Sequence, residues 1–233
     1  MPCTLPASLA DAAVCRGSFH AVLGGEVEDT AFADFSAALQ KAQAEGRILT
    51  ASLFRYENHL FFYAEGLNRP FTPQGLCPAL DAALLPWPPA LGEAAPRPWA
   101  AMQPYFYHDV PTTAADWQQG RCPQRRRGRI ALLPPDSWCS YMEHHLRIVT
   151  EGLVEGDRWH LICVQEGVLF SYLEEPRTNV NIRHQPGAHS PELDAWIAAD
   201  PESHFARFTP EQKAHPDSGH NFVFLPRIAG TEE

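Results

Sequence analysis

Between residues 134 and 145 the chain reads PPDSWCSYMEHH, which sets Tyr141 four residues ahead of His145 near the start of a helical pattern. Imidazole is the side chain whose ordinary pKa lies near neutrality. A phenol one turn away on the same helix face gives it a partner for the second proton of an acid–base exchange. Proton transfer on a small molecule is the chemistry this pair can perform. Nucleophilic chemistry has less to stand on, because no G-x-S-x-G occurs and no cysteine has an evident partner base nearby in sequence. The six cysteines (Cys3, Cys15, Cys77, Cys122, Cys139 and Cys163) form no CxxC and no zinc-spaced set with histidine. Neither a zinc knuckle nor a thioredoxin motif is therefore expected, and scattered free thiols fit a reducing cytoplasm.

The helix carrying the pair is expected over 136–152, capped by Asp136 or Ser137 and closed by Gly152. Trp138, Tyr141, Met142, His145, Ile148 and Val149 recur at steps of three and four and form its apolar stripe. Ser140, Glu143, His144, Arg147 and Glu151 form the wet face. His144 should thus be exposed while His145 turns inward beside Tyr141. A histidine on an apolar stripe is commonly a hydrogen-bonded core residue, and the phenol is what turns this one into a candidate.

The elements around that helix occur twice. LFFYAEG at 60–66 and LFSYLEE at 169–175 end corresponding strand-like runs. Each half reads as strand, helix, two strands, a Pro-bounded second helix and a last strand. This order, βαββαβ, is the ferredoxin-like arrangement, with both helices on one face of an antiparallel sheet. The other face must be covered. The fold class expected is α+β: two tandem ferredoxin-like repeats packed sheet to sheet as an intrachain pseudo-dimeric α/β barrel. The first repeat is placed at 17–111 and the second at 127–230. Residues 112–126 between them, with Arg121, Arg125, Arg126, Arg127 and Arg129 in or beside them, could form a phosphate-binding patch but are read as a solvated basic linker, since like-charge runs are commonly exposed. The Pro-rich run 86–98 is read as an irregular loop.

With 18 basic and 28 acidic residues the chain carries a net charge of −10, a poor match to nucleic acid or an anionic membrane. It has no stretch of eighteen apolar residues and no leader-like N-terminus. The expectation is a cytoplasmic monomer acting on a small molecule.

The second half resembles the L-rhamnose mutarotases, ferredoxin-like proteins that interconvert the anomers of a free sugar. Their helix opening is matched by Pro135, Asp136, Tyr141 and His145, and their strand ending by Val168-Leu169-Phe170 with Glu174. Trp196-Ile197-Ala198-Ala199-Asp200-Pro201, His215-Pro216-Asp217 and Val223-Phe224-Leu225-Pro226 are similar to later motifs of the family, so that the likeness spans 127–228. The resemblance implies acid–base catalysis by His145 and Tyr141 on a monosaccharide, with Trp196, His204 and Phe205 binding it, and with no metal or cofactor because only protons move. Where the family has a Trp-Trp pair this chain has His204-Phe205, and the corresponding helix of the first half, 29–46, has neither His nor Tyr. Tyr56, His59, Tyr63, Tyr105, Tyr107 and His108 of the first half could reach a shared cleft, but are read as ordinary strand and loop residues. Other functions open to such a fold are a cofactor-free monooxygenase, a haem-binding protein with an axial histidine, and a non-catalytic ligand-binding module.

Overall fold

The computed structural model describes residues 6–177, 183–213 and 218–231. In chain order the elements are β1 (Val14–Val22), α1 (Asp29–Ala44), β2 (Ile48–Tyr56), β3 (His59–Leu67), α2 (Pro78–Ala82), β4 (Ala100–Ala101), β5 (Gln103–Tyr107) and α3 (Ala114–Gln118). There follow β6 (Arg125–Leu132), α4 (Pro135–Glu151), β7 (Val154–Glu155), β8 (Leu161–Gln165), β9 (Val168–Glu175), β10 (Arg183–His184), α5 (Pro191–Ala198), β11 (Val223–Leu225) and β12 (Arg227–Gly230). The class is α+β, with two antiparallel five-stranded sheets and a small β7–β10 ribbon.

The chain forms two compact units. The first comprises 1–102, 111–122 and 226–233, and the second 103–110 and 123–225. The sheet of the first runs β12-β2-β3-β1-β4, and that of the second β11-β6-β9-β8-β5. In both, the strands of one half of the sequence stand in the order fourth, first, third, second. The fifth place is taken by a strand from the end of the other half. The division differs from the contiguous ranges 17–111 and 127–230, because the end of each half is shared between the two sheets. Ala100–Ala101 pairs with β1 while Gln103–Tyr107 pairs with β8, and Val223–Leu225 pairs with β6 while Arg227–Gly230 pairs with β2.

In the first unit α1 lays Ala31, Phe32, Phe35, Leu39 and Ala42 on the sheet, the stripe of an amphipathic helix. Leu53, Leu60, Phe62 and Trp99 meet it in a hydrocarbon core. The faces of β2 and β3 turned away from α1 are also buried, and they hold charge. Glu65, 0% exposed, takes both Arg121 guanidinium nitrogens at 2.7 and 3.0 Å, and accepts from the Tyr63 hydroxyl at 2.7 Å and the Trp117 indole at 3.0 Å. Segment 112–126 is therefore no solvated linker. Trp117 and Arg121 are buried around Glu65, and Arg125–Arg127 belong to β6.

In the second unit Tyr172, two residues before Glu174 as Tyr63 is before Glu65, donates to that carboxylate at 2.6 Å, and Arg126 lies 3.6 Å from it. Helix α4 begins at Pro135 with Pro134 as its cap residue and no side-chain cap, in place of Asp136 or Ser137. Proline at the first helical position loses no bond, since its missing N–H would have no partner there. Gly152 closes the helix at φ 69°, as expected. The second helices of both halves are shorter than their sequence patterns. That of the first half spans only Pro78–Ala82, and α5 stops at Ala198 because Pro201 holds Asp200 out of the helical region, at φ 49°.

The Glu65 cluster makes a prediction. Burial pushes this carboxyl up, but Arg121, with Arg16 and the hydrogen bonds, outweighs burial and holds it below the ordinary range. Its stabilisation is then present above the ordinary carboxylate range and lost as the pH falls through the lowered value. Arg121→Leu, which strands the carboxylate, is expected to cost about 3–5 kcal/mol in urea unfolding at pH 7. Glu65→Leu combined with Arg121→Leu is expected to cost less than the sum of the two single changes.

Candidate active site

Tyr141, His145 and Ile148 are the buried residues of α4, one turn apart on the face that meets the second sheet. Tyr141 is 3% exposed and His145 4%, and their rings lie 4.2 Å apart between centroids. Around them Trp196 of α5, at 4.6 Å from His145, and Phe106 of β5, at 4.7 Å, stand edge-on to the imidazole. Phe205 packs edge-on to Tyr141 at 5.0 Å. These side chains bound a cavity of about 350 Å³.

The imidazole's proton position follows from its partner. His145 Nδ1 lies 3.0 Å from the carbonyl oxygen of Tyr141, which can only accept. Nδ1 therefore carries the hydrogen, and in the neutral ring Nε2 is a bare lone pair. Burial lowers the His145 pKa to about 4, so that this neutral form is the one present at pH 7. Burial raises the Tyr141 hydroxyl above its ordinary value, which keeps it a proton donor.

The floor is supplied by the sheet. Arg129 of β6, opposite Ser171 of β9, lines the cavity with its guanidinium over the Phe222 ring at 4.3 Å. Burial, then the neighbouring Arg177, brings its pKa down to about 10, still cationic at neutral pH. Arg177 is paired with the buried Asp157 at 3.3 Å. His108 reaches the cavity beyond the end of β5, its pKa lowered to about 4 by burial and then by Arg177. A Cβ at Gly156 would fall 2.0 Å from His108 Nε2, so only glycine admits the ring there. Glu202 completes the polar lining, its carboxylate and main-chain carbonyl both bonded to the Asn221 amide.

Of the five residues singled out in the sequence, Tyr141, His145, Trp196 and Phe205 all line the cavity. His204 does not. It sits in the short 3₁₀ turn Pro201–His204 with Nε2 3.3 Å from the Ser140 hydroxyl, outside the lining. Two further expectations for α4 fail. Trp138, in the first turn, is 38% exposed, and His144 is half-buried against Trp196, 5.4 Å between ring centroids. His215-Pro216-Asp217 lies outside the described residues. Sequence reasoning missed Phe106, His160 and Arg177, and it set aside His108 as an ordinary loop residue and Arg129 as part of a solvated run. Phe106 and His108 belong to the second unit only because β5 joins its sheet. The alternation of β6 held a usable signal for Arg129, since it shares a strand face with the inward Ala131.

Among the described residues one cluster, His184, His189 and Asp194, has ligand atoms within 4.8 Å of one another. His184 Nδ1 accepts from the Ser190 amide at 3.1 Å, which leaves its proton on Nε2, 3.5 Å from Asp194. His189 Nδ1 lies 3.3 Å from the other oxygen of the same carboxylate. Among the described residues no helix is long and apolar enough to cross a membrane.

No family model matches the chain, and no curated protein does. Two crystal structures, each of a "putative monooxygenase", are similar over nearly the whole length. One, from Lactobacillus acidophilus NCFM, is 7% identical with a TM-score of 0.40, covering 94% of this chain and 96% of that one. The other, from Fusobacterium nucleatum subsp. nucleatum, is 9% identical with a TM-score of 0.40, covering 95% of each. Likeness of this degree carries no activity over to this chain.

The buried imidazole fixes a pH dependence. An unfolded His145 takes up its proton near 6.5, whereas the folded one refuses it until about 4. Stability should therefore fall as the pH drops between these values and level off below, by roughly 3 kcal/mol from this residue. His145→Gln is expected to flatten the curve by about one proton in that window, measured by urea unfolding as a function of pH.

Proposed function

We propose that the second unit is an acid–base isomerase of the mutarotase type, acting on a free aldose. The observation that carries this reading is the bare Nε2 of His145, fixed by the Nδ1 bond to the Tyr141 carbonyl, beside a phenol at the edge of a cavity of about 350 Å³. Anomer interconversion needs one group to take the proton of the anomeric hydroxyl and another to protonate the ring oxygen. His145 takes the first role and Tyr141 the second, and Trp196 and Phe205 give the apolar walls against which a sugar ring lies. Each such group typically contributes about 10²- to 10⁴-fold, a sensible demand for a reaction that already proceeds in water.

The cavity lies at the small end of ligand pockets, about 300–1,000 Å³, which suits a monosaccharide better than a haem macrocycle. Its polar lining of Asp157, Ser171 and Glu202 suits a hydroxyl-rich ligand better than the apolar substrate of a cofactor-free monooxygenase. The same reading takes the chain as a tandem duplication of one βαββαβ unit in which the second copy keeps the site. The shared strand order and the repeated Tyr-x-Glu bond support it. The working form on this reading is a cytoplasmic monomer that needs no metal or cofactor.

Exchange NMR on a panel of reducing sugars tests the activity. Anomer exchange should be accelerated for at least one sugar, with about 10²-fold or greater loss in His145→Gln and in Tyr141→Phe. Acceleration surviving His145→Gln would remove the imidazole from the mechanism. No acceleration for any sugar, neutral or acidic, would leave the unit a binding module.

A further inference from the structure

The four arginines of β6 are not equivalent. Arg125 and Arg127 reach Glu175 at 2.7 and 3.0 Å, and Arg126 lies 3.6 Å from Glu174, so three of the four have a carboxylate from β9. Arg129 faces Ser171 instead. Among the described residues no carboxylate lies within ion-pair distance of it, and its buried Nε has no hydrogen-bond partner. At the matching place in the first sheet, three positions beyond Arg16 opposite Glu65, the cross-strand pair is Phe19 and Phe62. The second unit has a cation and a hydroxyl where the first has two aromatic rings.

A buried guanidinium without an anion is costly, and the cost is removed when a ligand supplies the charge. Two features fix what kind. Arg177 is already paired with Asp157, whereas Arg129 touches no carboxylate among the described residues: Glu202, bonded to the neutral Asn221 amide, keeps its charge and acts on Arg129 only from beyond ion-pair distance. A planar guanidinium also fits the two oxygens of a carboxylate. We propose that Arg129 is a specificity residue that binds the carboxylate of the substrate, so that the site takes a sugar acid of the uronic type in preference to a neutral aldose. This deepens the mutarotase reading and rests on it for the sugar, though the anion site itself stands on Arg129.

The test uses the full chain and three probes: glucuronate, its methyl ester and glucose. Calorimetric binding and NMR anomer exchange are measured on the same samples. Glucuronate is expected to bind about 10- to 100-fold more tightly than the ester or glucose, the usual effect of a charge-assisted bond. Arg129→Gln should erase that preference, and Arg129→Lys should restore part of it. Equal binding of acid and ester by the wild-type protein would overturn the proposal, whether or not the variants fold. So would an acid preference that persists in Arg129→Gln. The two readings fail separately. Glucuronate binding without faster anomer exchange supports the anion site while removing the mutarotase activity. Faster exchange that is equal for glucose and glucuronate, with no binding preference, keeps the activity and removes the anion site.

Discussion

A guanidinium buried in a sheet must meet negative charge, and β6 places two of them, Arg126 and Arg127, side by side. Arg127 and Arg126 are each 8% exposed, and both are met by carboxylates of the neighbouring strand β9. Strand alternation sends Arg126 to one face and Arg125, Arg127 and Arg129 to the other, so the pairing with Glu174 and Glu175 holds only in one register. A slip of one residue would bury unpaired charge on both faces. The same logic governs the first unit, where Glu65 collects Arg121, Tyr63 and Trp117. Charge pairing of this kind adds little net stability compared with hydrocarbon, but it punishes every alternative strongly. The central strands of both sheets are fixed in this way, and the cavity inherits its accuracy from them.

On that frame the site is set by a helix whose own backbone selects the tautomer. A side chain at position i on a helix can reach the carbonyl at i−4, and His145 uses that bond to commit Nδ1. The remaining nitrogen is left open without any further residue to orient it. The aromatic edges of Phe106, Tyr105 and Trp196 press on the ring and leave it desolvated. They are what lower its pKa, since desolvation disfavours the charged imidazolium. Orientation and protonation state thus come from two separate features, one local to the helix and one assembled by the fold.

That separation explains what was legible in the sequence. The inward turn of His145 and Tyr141, the left-handed Gly152 cap and the strand pairs of each half follow from periods of 3.6 and 2, which depend only on neighbours along the chain. What was not legible depends on pairing between distant segments. Nothing in the run from Met102 to Val110 says that Phe106 will sit opposite Ile162, yet that pairing carries His108 to the cavity. The arginines at 125–129 misled for a different reason. A basic run is ordinarily a wet surface, and the carboxylates that bury it stand nearly fifty residues away, at Glu174 and Glu175. Trp138 and His204 failed for local reasons, one in a first helical turn left partly in solvent and the other in a 3₁₀ turn that aims its ring at Ser140.

Comparison of the two units shows that the fold does not require the cavity. Helix α1 and its sheet fill the helix–sheet layer with hydrocarbon: Phe35 and Leu39 are fully buried, Phe62 stands edge-on to Phe35 at 5.7 Å and Trp99 stacks on it at 6.2 Å. In the corresponding layer of the second unit, Tyr141 and His145 come from the helix, and Arg129 and Ser171 replace the Phe19–Phe62 cross-strand pair. Every one of these exchanges puts a polar group where an apolar one is compatible with the same strand order. Each costs stability through desolvation, and together they leave a cavity that close packing would otherwise remove. Phe222 shields the Arg129 guanidinium and Ser171 leaves room beside it, so the exchanges act in concert at one point. A layer that gives up packing in this coordinated way is better explained by a ligand than by the needs of the sheet.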